Sequence, residues 1–560
     1  MGHLARWAVR KPVLAIISFF VLFLVIGILG GRFGGELKDS FELPGTESQV
    51  AQNLLSETAG ADVATGATAT LIWGVDTGSV TDATVKQTVT PLMEEIAQQP
   101  GVACVTSPYG PTYGPSCPER KQQANPFPLP PEIQAKIDAG TEAAIKATSP
   151  ISENEKVARA TITFTSATDI PTETASTILN EVEATNGQNG VTIGASGQVL
   201  AFAGQEPPSG ELIGILVAIV ILLIAFGSVV AAGLPIVTAV FGLGAGLALV
   251  TFTANFFTVA TFAPTLAAMI GLGVGIDYAL FILNRFRQAV MAGHAPKDAV
   301  YESVNTAGRA VQFAGTTVII ALLGLFVLGI GFFNGLALAA SLTVAMVMLS
   351  AVWFLPALLS LLGDKALAIR MPWARKTKAW HPEGGKWAHY GHVLQKRPWF
   401  YTVAAALLVM VMAIPYFSIR LGFPDDSGQP VGSPARIAYD LTAEGFGPGS
   451  NGPFFVAVQL PYALDEDSLR GLIRDLNETP GVARTIPNEA MVPISVTANQ
   501  TIAAIQVIPE TSPQDPDTDE LLQRLRTETI PRAEEGTTMR AYVGGATAVT
   551  TDFTTVLSNA

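Results

Sequence analysis

Long uninterrupted apolar runs alternate along this chain with stretches in which apolar and polar residues change places at strand or helix spacing. Six such runs lie at 13–31, 212–230, 233–253, 259–283, 315–333 and 336–362, and a seventh, at 399–418, follows a basic loop. Each is long enough for a helix to cross a hydrocarbon layer of about 30 Å. The first is too long for a cleaved signal and lacks a small-residue cleavage pattern, so it reads as a membrane helix. The prediction is a multi-pass α-helical membrane protein carrying α+β polar domains.

The polar stretch after the first run alternates at periods of two and of 3.6 residues. Strands are predicted at 68–75, 102–106, 157–166 and 191–195, and helices at 82–98 and 172–183. A Pro-rich insertion at 126–131 and a further helix near 132–147 lie between them. Without the insertion the order is β-α-β-β-α-β, a split βαβ arrangement. The stretch after the seventh run repeats it. Pro12 and Pro398 each follow a basic pair and open an apolar run, and Pro44 and Pro430 keep the same spacing, as do Leu55 and Leu441. Pro100-Gly101-Val102-Ala103 returns as Pro480-Gly481-Val482-Ala483, and Ile193-Gly194 returns as Val543-Gly544.

Composition agrees with a chain largely in lipid: 49% of its residues are hydrophobic and 14% charged, against about 25% charged in soluble domains. The net charge of −13 is unevenly spread. Segments 1–12, 285–312 and 363–398 hold 15 Lys and Arg against 4 Asp and Glu. By the positive-inside rule these segments are cytoplasmic, with the amino terminus inside and both polar stretches outside. The imbalance is a topology signal and does not imply nucleic acid. Cys104 and Cys117, the two cysteines, fall in the first outer stretch, where a pair is readily a disulfide. Arg285–Arg309 is predicted as an amphipathic helix on the inner face. Trp373, Trp380, Trp387 and Trp399 suit a headgroup zone. His381, His389 and His392 lack acidic or Cys partners at ligand spacing, so no metal is expected.

The most informative run is Val259–Arg287. Ala267, Gly271, Gly275 and Ala279 recur every fourth residue and form one small-residue ridge on which another helix can approach closely. Asp277 points away from that ridge, and Gly273 leaves room beside it. A carboxylate deep in such a helix costs about 2.5–3.5 kcal/mol on insertion scales and is a functional candidate by default. The alternatives are a structural hydrogen bond between helices or, for Gly271-x-Gly273-x-Gly275, a nucleotide loop. The loop reading fails because the glycines sit inside an apolar run, not between a strand and a helix. Thr316 and Thr317 begin the fifth run at a similar depth. They can hydrogen-bond the acid or a water, or their own helix backbone.

The run Gly271-Leu272-Gly273-Val274-Gly275-Ile276-Asp277-Tyr278-Ala279-Leu280-Phe281, followed by Arg285 and Arg287, resembles the fourth membrane helix of the MmpL transporters of the RND superfamily. The resemblance implies a proton relay at Asp277 and Tyr278, a proton gradient as the energy source with no cofactor, and large amphiphilic cargo. It also implies twelve helices in two parallel halves. Against that plan the chain is read as truncated: 1–31 amino terminus and first helix, 32–210 first outer domain, 211–362 helices two to six, 363–398 basic loop, 399–418 seventh helix, 419–560 second outer domain. Membrane lipids and a lipid or small amphiphile are the expected partners, with self-association or accessory envelope proteins beside them. The expected place is a bacterial plasma membrane. Other readings are a drug-efflux pump, a SecD/SecF-like translocation factor and a membrane-anchored binding module. No Ser-His-Asp, P-loop or metal constellation points to an enzyme.

Overall fold

The computed structural model describes residues 7–35, 37, 43, 45–58, 68–117, 148–165, 172–203, 209–260, 262–368, 386–419, 425–462, 465–488 and 501–559. The Pro-rich insertion, the predicted helix near 132–147, Trp373, Trp380 and His381 lie outside these residues. Along the chain come α1 (Pro12–Arg32), α2 (Glu47–Thr58), β1 (Thr68–Val75), α3 (Ala83–Ala97), β2 (Val102–Thr106), β3 (Thr112–Tyr113) and β4 (Val157–Phe164). Then follow α4 (Thr172–Thr185), β5 (Val191–Ser196), α5 (Ser209–Phe226), α6 (Val229–Thr253), α7 (Ala263–Met291), α8 (Pro296–Ser303), α9 (Arg309–Leu323) and α10 (Gly331–Leu349). The remainder is α11 (Leu355–Leu362), α12 (Pro398–Ala413), α13 (Pro434–Phe446), β6 (Phe454–Gln459), α14 (Glu466–Asn477), β7 (Val482–Ile486), β8 (Ile502–Pro509), α15 (Pro516–Arg524), β9 (Arg540–Gly544) and α16 (Ala546–Asn559). Two compact units divide the chain: Met1–Glu42 with Pro208–Arg420, and Leu43–Pro207 with Leu421–Ala560.

The first unit is helical. Among the described residues six helices are long and apolar enough to cross a membrane, and Ile213–Phe226 is a shorter apolar one. Its centre is the packing of α6, α7 and α10, where small residues meet. Gly242 and Gly246 on α6 face Val347 and Thr343 of α10: a Cβ on either glycine would lie 2.7 Å from the facing Cα. Helix α1 joins through aromatic rings. Phe19 stacks on Phe354 with centroids 4.6 Å apart, and Phe20 meets Phe241 edge to face at 5.1 Å. Helix α12 buries none of its residues.

One expectation changes here. The single amphipathic helix predicted over 285–309 is two elements. Helix α7 runs on to Met291, where Gly293 turns the chain at φ +94°, a conformation glycine adopts without a Cβ clash. Pro296, which suits a first helical position, then starts α8. Arg285 Nη2 and His294 Nδ1 both meet Glu302, at 2.8 and 2.9 Å, and tie the two elements together.

The second unit holds two antiparallel sheets, ordered β3-β2-β4-β1-β5 and β7-β8-β6-β9. Apart from the short β3, the strand orders are the same, with β1, β2, β4 and β5 matching β6, β7, β8 and β9. Each sheet buries one face beneath its own helices, Trp73, Ile162 and Ile193 in the first core and Phe454, Ile505 and Val543 in the second. The other faces are covered by exchange. Helix α13, which precedes the second sheet in sequence, packs on β5, β1 and β4 of the first. Helix α2, which precedes the first sheet, packs on β9, β6 and β8 of the second. The repeated glycines are the seats of this exchange. A Cβ on Gly194 would collide with the α13 backbone at Ala438, and one on Gly544 would sit 2.8 Å from the Ala51 Cβ of α2.

Forcing a side chain into a close-packed contact costs about 1–3 kcal/mol. Gly194→Val and Gly544→Val should each lower the unfolding midpoint of the detergent-purified chain. Gly471→Ala, where a Cβ meets nothing within 4 Å, should not. Equal midpoints for all three would disprove the seat assignment.

Candidate functional site

Helix α7 carries the sequence-singled residues on two faces. Ala267, Gly271, Gly275 and Ala279 are buried. A Cβ on Gly271 would lie 2.6 Å from the Thr343 methyl of α10, and one on Gly275 2.6 Å from Val347 and 2.9 Å from Ala239 of α6. This side of the helix therefore works at backbone-to-backbone distance. Asp277 stands on the opposite, exposed side with Thr265, Met269, Gly273 and Phe281, each four residues from the next. Nothing lies within 4 Å of a Cβ placed on Gly273. The carboxyl group thus has room around it.

Tyr278 goes the other way. It is 6% exposed, and its ring would touch a Cβ on Gly315 of α9 at 3.4 Å, beside Met348 of α10. The Asp-Tyr pair is therefore split between an open face and the bundle interior. Thr317 donates to the Phe313 carbonyl at 2.8 Å, within its own helix, and Thr316 is exposed. The structure does not bring either threonine onto Asp277 as a hydrogen-bond partner.

The polar unit contains a charge cluster that the sequence did not disclose. Arg526 forms a bidentate fork on Asp552 of α16, Nη1 to Oδ1 at 2.6 Å and Nη2 to Oδ2 at 2.9 Å. Its Nε also makes an ion pair with Glu47 Oε2 at 3.1 Å. Glu47 and Ser48 open α2. Glu47 Oε1 accepts from the Val543 N–H at 2.7 Å, and the Ser48 N–H donates to Asp552 at 3.2 Å. One cation thus fixes the exchanged helix to strand β9 and to α16. Burial opposes ionisation of Asp552, but hydrogen bonds from Arg526 and Ser48, with the Arg526 charge, outweigh it and hold the carboxyl below its ordinary range. Glu47 goes up: its burial outweighs the Val543 hydrogen bond and the arginine.

The profile of the MMPL family matches residues 40–401, more than half of the chain. The chain belongs to the MMPL family. It is 28% identical over its whole length to membrane protein YdfJ of Bacillus subtilis, covering 70% of that protein. It is 29% identical over 349 residues to the mycolic acid-containing lipids exporter MmpL11 of Mycolicibacterium smegmatis, 60% of this chain and 35% of the exporter. It is 28% identical over 239 residues to the trehalose monomycolate exporter MmpL3 of Mycobacterium tuberculosis, 38% of this chain and 25% of that one. The chain thus spans between a quarter and 70% of the length of these relatives. The family and these names point to transport across membranes, not to an enzyme.

Two further features of this MMPL chain are local. Cys104 and Cys117 are joined, closing the β2–β3 hairpin. Inside that hairpin Tyr109 accepts from the Trp73 indole N–H at 3.1 Å and donates to the Val80 carbonyl at 2.6 Å. Burial pushes the Tyr109 hydroxyl up to about 12, so it stays protonated and keeps both bonds throughout the physiological range.

Asp552→Asn should loosen α2 by about 2 kcal/mol, since one partner of a mostly buried pair is lost while Glu47 remains. Hydrogen exchange of residues 47–58 in the whole chain should rise about thirty-fold at neutral pH. Because the folded-state pKa is depressed, the contribution of Asp552 is complete above its unfolded value. It is lost as pH falls through the lower, folded one. The difference between wild type and variant should therefore vanish only in strong acid. A difference already gone at pH 5 would contradict the fork.

Proposed function

We propose that this protein is a proton-driven membrane transporter that moves lipids or other large amphiphiles towards the cell envelope. It sits in a bacterial plasma membrane with its amino terminus and basic loops inside and both polar domains outside. The observation that carries the reading is Asp277, an acid in the middle of α7 whose opposite face is packed at glycine distance against α6 and α10. The lipid exporters among the relatives, and the Lys and Arg distribution, support the cargo class and the orientation.

The mechanism follows from where charge is tolerated. A carboxylate facing lipid or a closed interface is driven to its neutral form, whereas in a wet cleft it ionises. Each protonation change therefore biases which surface the Asp277 face prefers, and two packings of α7 differ in free energy by that bias. Glycines on the far side let the helix shift along α6 and α10 without side chains to interlock. Tyr278, wedged against α9 and α10, passes a movement of α7 to both helices. Cargo is handled by the two polar domains, whose exchanged helices make each domain move with the other.

Asp277→Asn keeps volume and hydrogen-bonding capacity but cannot bind and release a proton. In cells with matched protein levels it should abolish gradient-driven lipid export, while Tyr278→Phe should reduce it less. Unimpaired export by the Asn variant would leave Asp277 a packing residue. For the orientation, a maleimide that does not cross membranes should label Cys104 and Cys117 in intact cells only after reduction. Labelling that requires permeabilised cells would reverse the topology.

A further inference from the structure

Among the described residues of the polar unit, Arg159 and Arg484 are two half-buried guanidiniums without a counter-charge. Arg159 projects from β4 on the face that carries Val157, the side covered by α13, and its guanidinium lies 4.6 Å from the centre of the Phe446 ring. Arg484 lies on β7, paired with Ile508 of β8 and outside the core beneath that sheet. Its Nε is buried and has no hydrogen-bond partner. Among the described residues neither side chain has an ion pair or a hydrogen bond.

The backbone links their surroundings. Phe446 ends α13, Gly447 turns the chain at φ +93°, and Gly449 then lies against Pro509, where a Cβ would come within 3.0 Å of the Pro509 Cα. Pro509 pairs with Val482, two residues from Arg484 on the same strand. The chain thus passes from the ring under Arg159 to the strand pair bearing Arg484 within three residues. Burial, and after it the Arg484 charge, push the Arg159 guanidinium below its ordinary value. Like charges held close and partly dry oppose each other, and an anion between them removes the cost.

We infer that Arg159 and Arg484, with the Phe446 ring as a floor, form a site for a tetrahedral phosphate-type oxyanion between the two sheets. A carboxylate offers two oxygens, which one guanidinium fork can occupy alone; a phosphate has oxygens enough for two forks in different planes. The anion is either the headgroup of an amphiphile or free phosphate. The headgroup source rests on the transport reading above, whereas the site itself does not.

The test uses the whole chain in a neutral detergent and calorimetric titration with inorganic phosphate, dihexanoyl phosphatidic acid and uncharged dihexanoylglycerol. Both phosphates should bind, and Arg159→Gln or Arg484→Gln should weaken each about tenfold. Arg→Lys at either position keeps the charge, loses the fork and should fall between; it carries the test if a Gln variant does not fold. Without anion, the Gln variants should melt no lower than wild type, because a repulsion has been removed. Phosphatidic acid at least tenfold tighter than phosphate assigns the site to a headgroup, and equal affinities assign it to the free anion. Absent binding, or binding indifferent to both arginines, overturns the proposal. Since no transport is measured, a chain that binds phosphate through these arginines while Asp277→Asn exports normally would sink the transport reading and leave this site standing.

Discussion

Both units depend on one constraint: backbones that must come closer than a side chain permits. In the helical unit Gly242, Gly246, Gly271 and Gly275 bring α6, α7 and α10 together across contacts of 2.6–2.7 Å to a Cβ that is not there. In lipid this matters more than in water, because helices gain nothing from hiding apolar surface and associate through close packing. In the polar unit Gly194 and Gly544 do the same for a helix on a sheet. Removing the Cβ at those two strand positions lets α13 and α2 lie on the opposite domain's sheet, and the exchange follows from it. The exchanged helices that link one domain to the other rest on those seats.

The exchange in turn decides which charges can be buried. Arg526 reaches Glu47 only because α2 lies on β9, and it is enclosed because α16 supplies Asp552 beside it. A guanidinium with one carboxylate at each side loses its water without leaving its own charge uncompensated. The two acids share the load unequally. Asp552 takes the planar fork and is held below its ordinary range, while Glu47 takes the Nε side and is pushed above its own by burial. The helix is fixed by a geometry-specific contact and not by apolar area alone, which suits an element whose neighbours belong to another domain.

Much of this was legible because spacing carries it. Strand and helix periods placed most strands of the first polar domain to within a residue or two, and four-residue spacing separated the α7 ridge from Asp277. The repeat of Ile193-Gly194 in Val543-Gly544 was visible, yet its meaning was not. Helix α2 and helix α13 are each only 12 or 13 residues long, and nothing in their own pattern says which sheet they will cover. For the same reason Glu47, Arg526 and Asp552 gave no signal: they are far apart in sequence and meet only after the exchange. The break at Gly293 and Pro296 was misread as continuous helix because interleaved polar and apolar residues on both sides keep a helical period across it.

Three charged positions carry the proposals made above, and they share a property. Arg526 is satisfied from three directions and its role ends with the fold. Asp277 on α7, and Arg159 and Arg484 on the sheets, have no ion-pair partner among the described residues. In the readings proposed above, the partner comes and goes: a proton for the carboxylate, an oxyanion for the arginines. The two sites are opposite in sign, an acid on the apolar helix α7 and a pair of bases on the polar domains. On the proposed proton-driven reading, this charge pattern favours holding an anionic head between the polar domains while α7 cycles its proton.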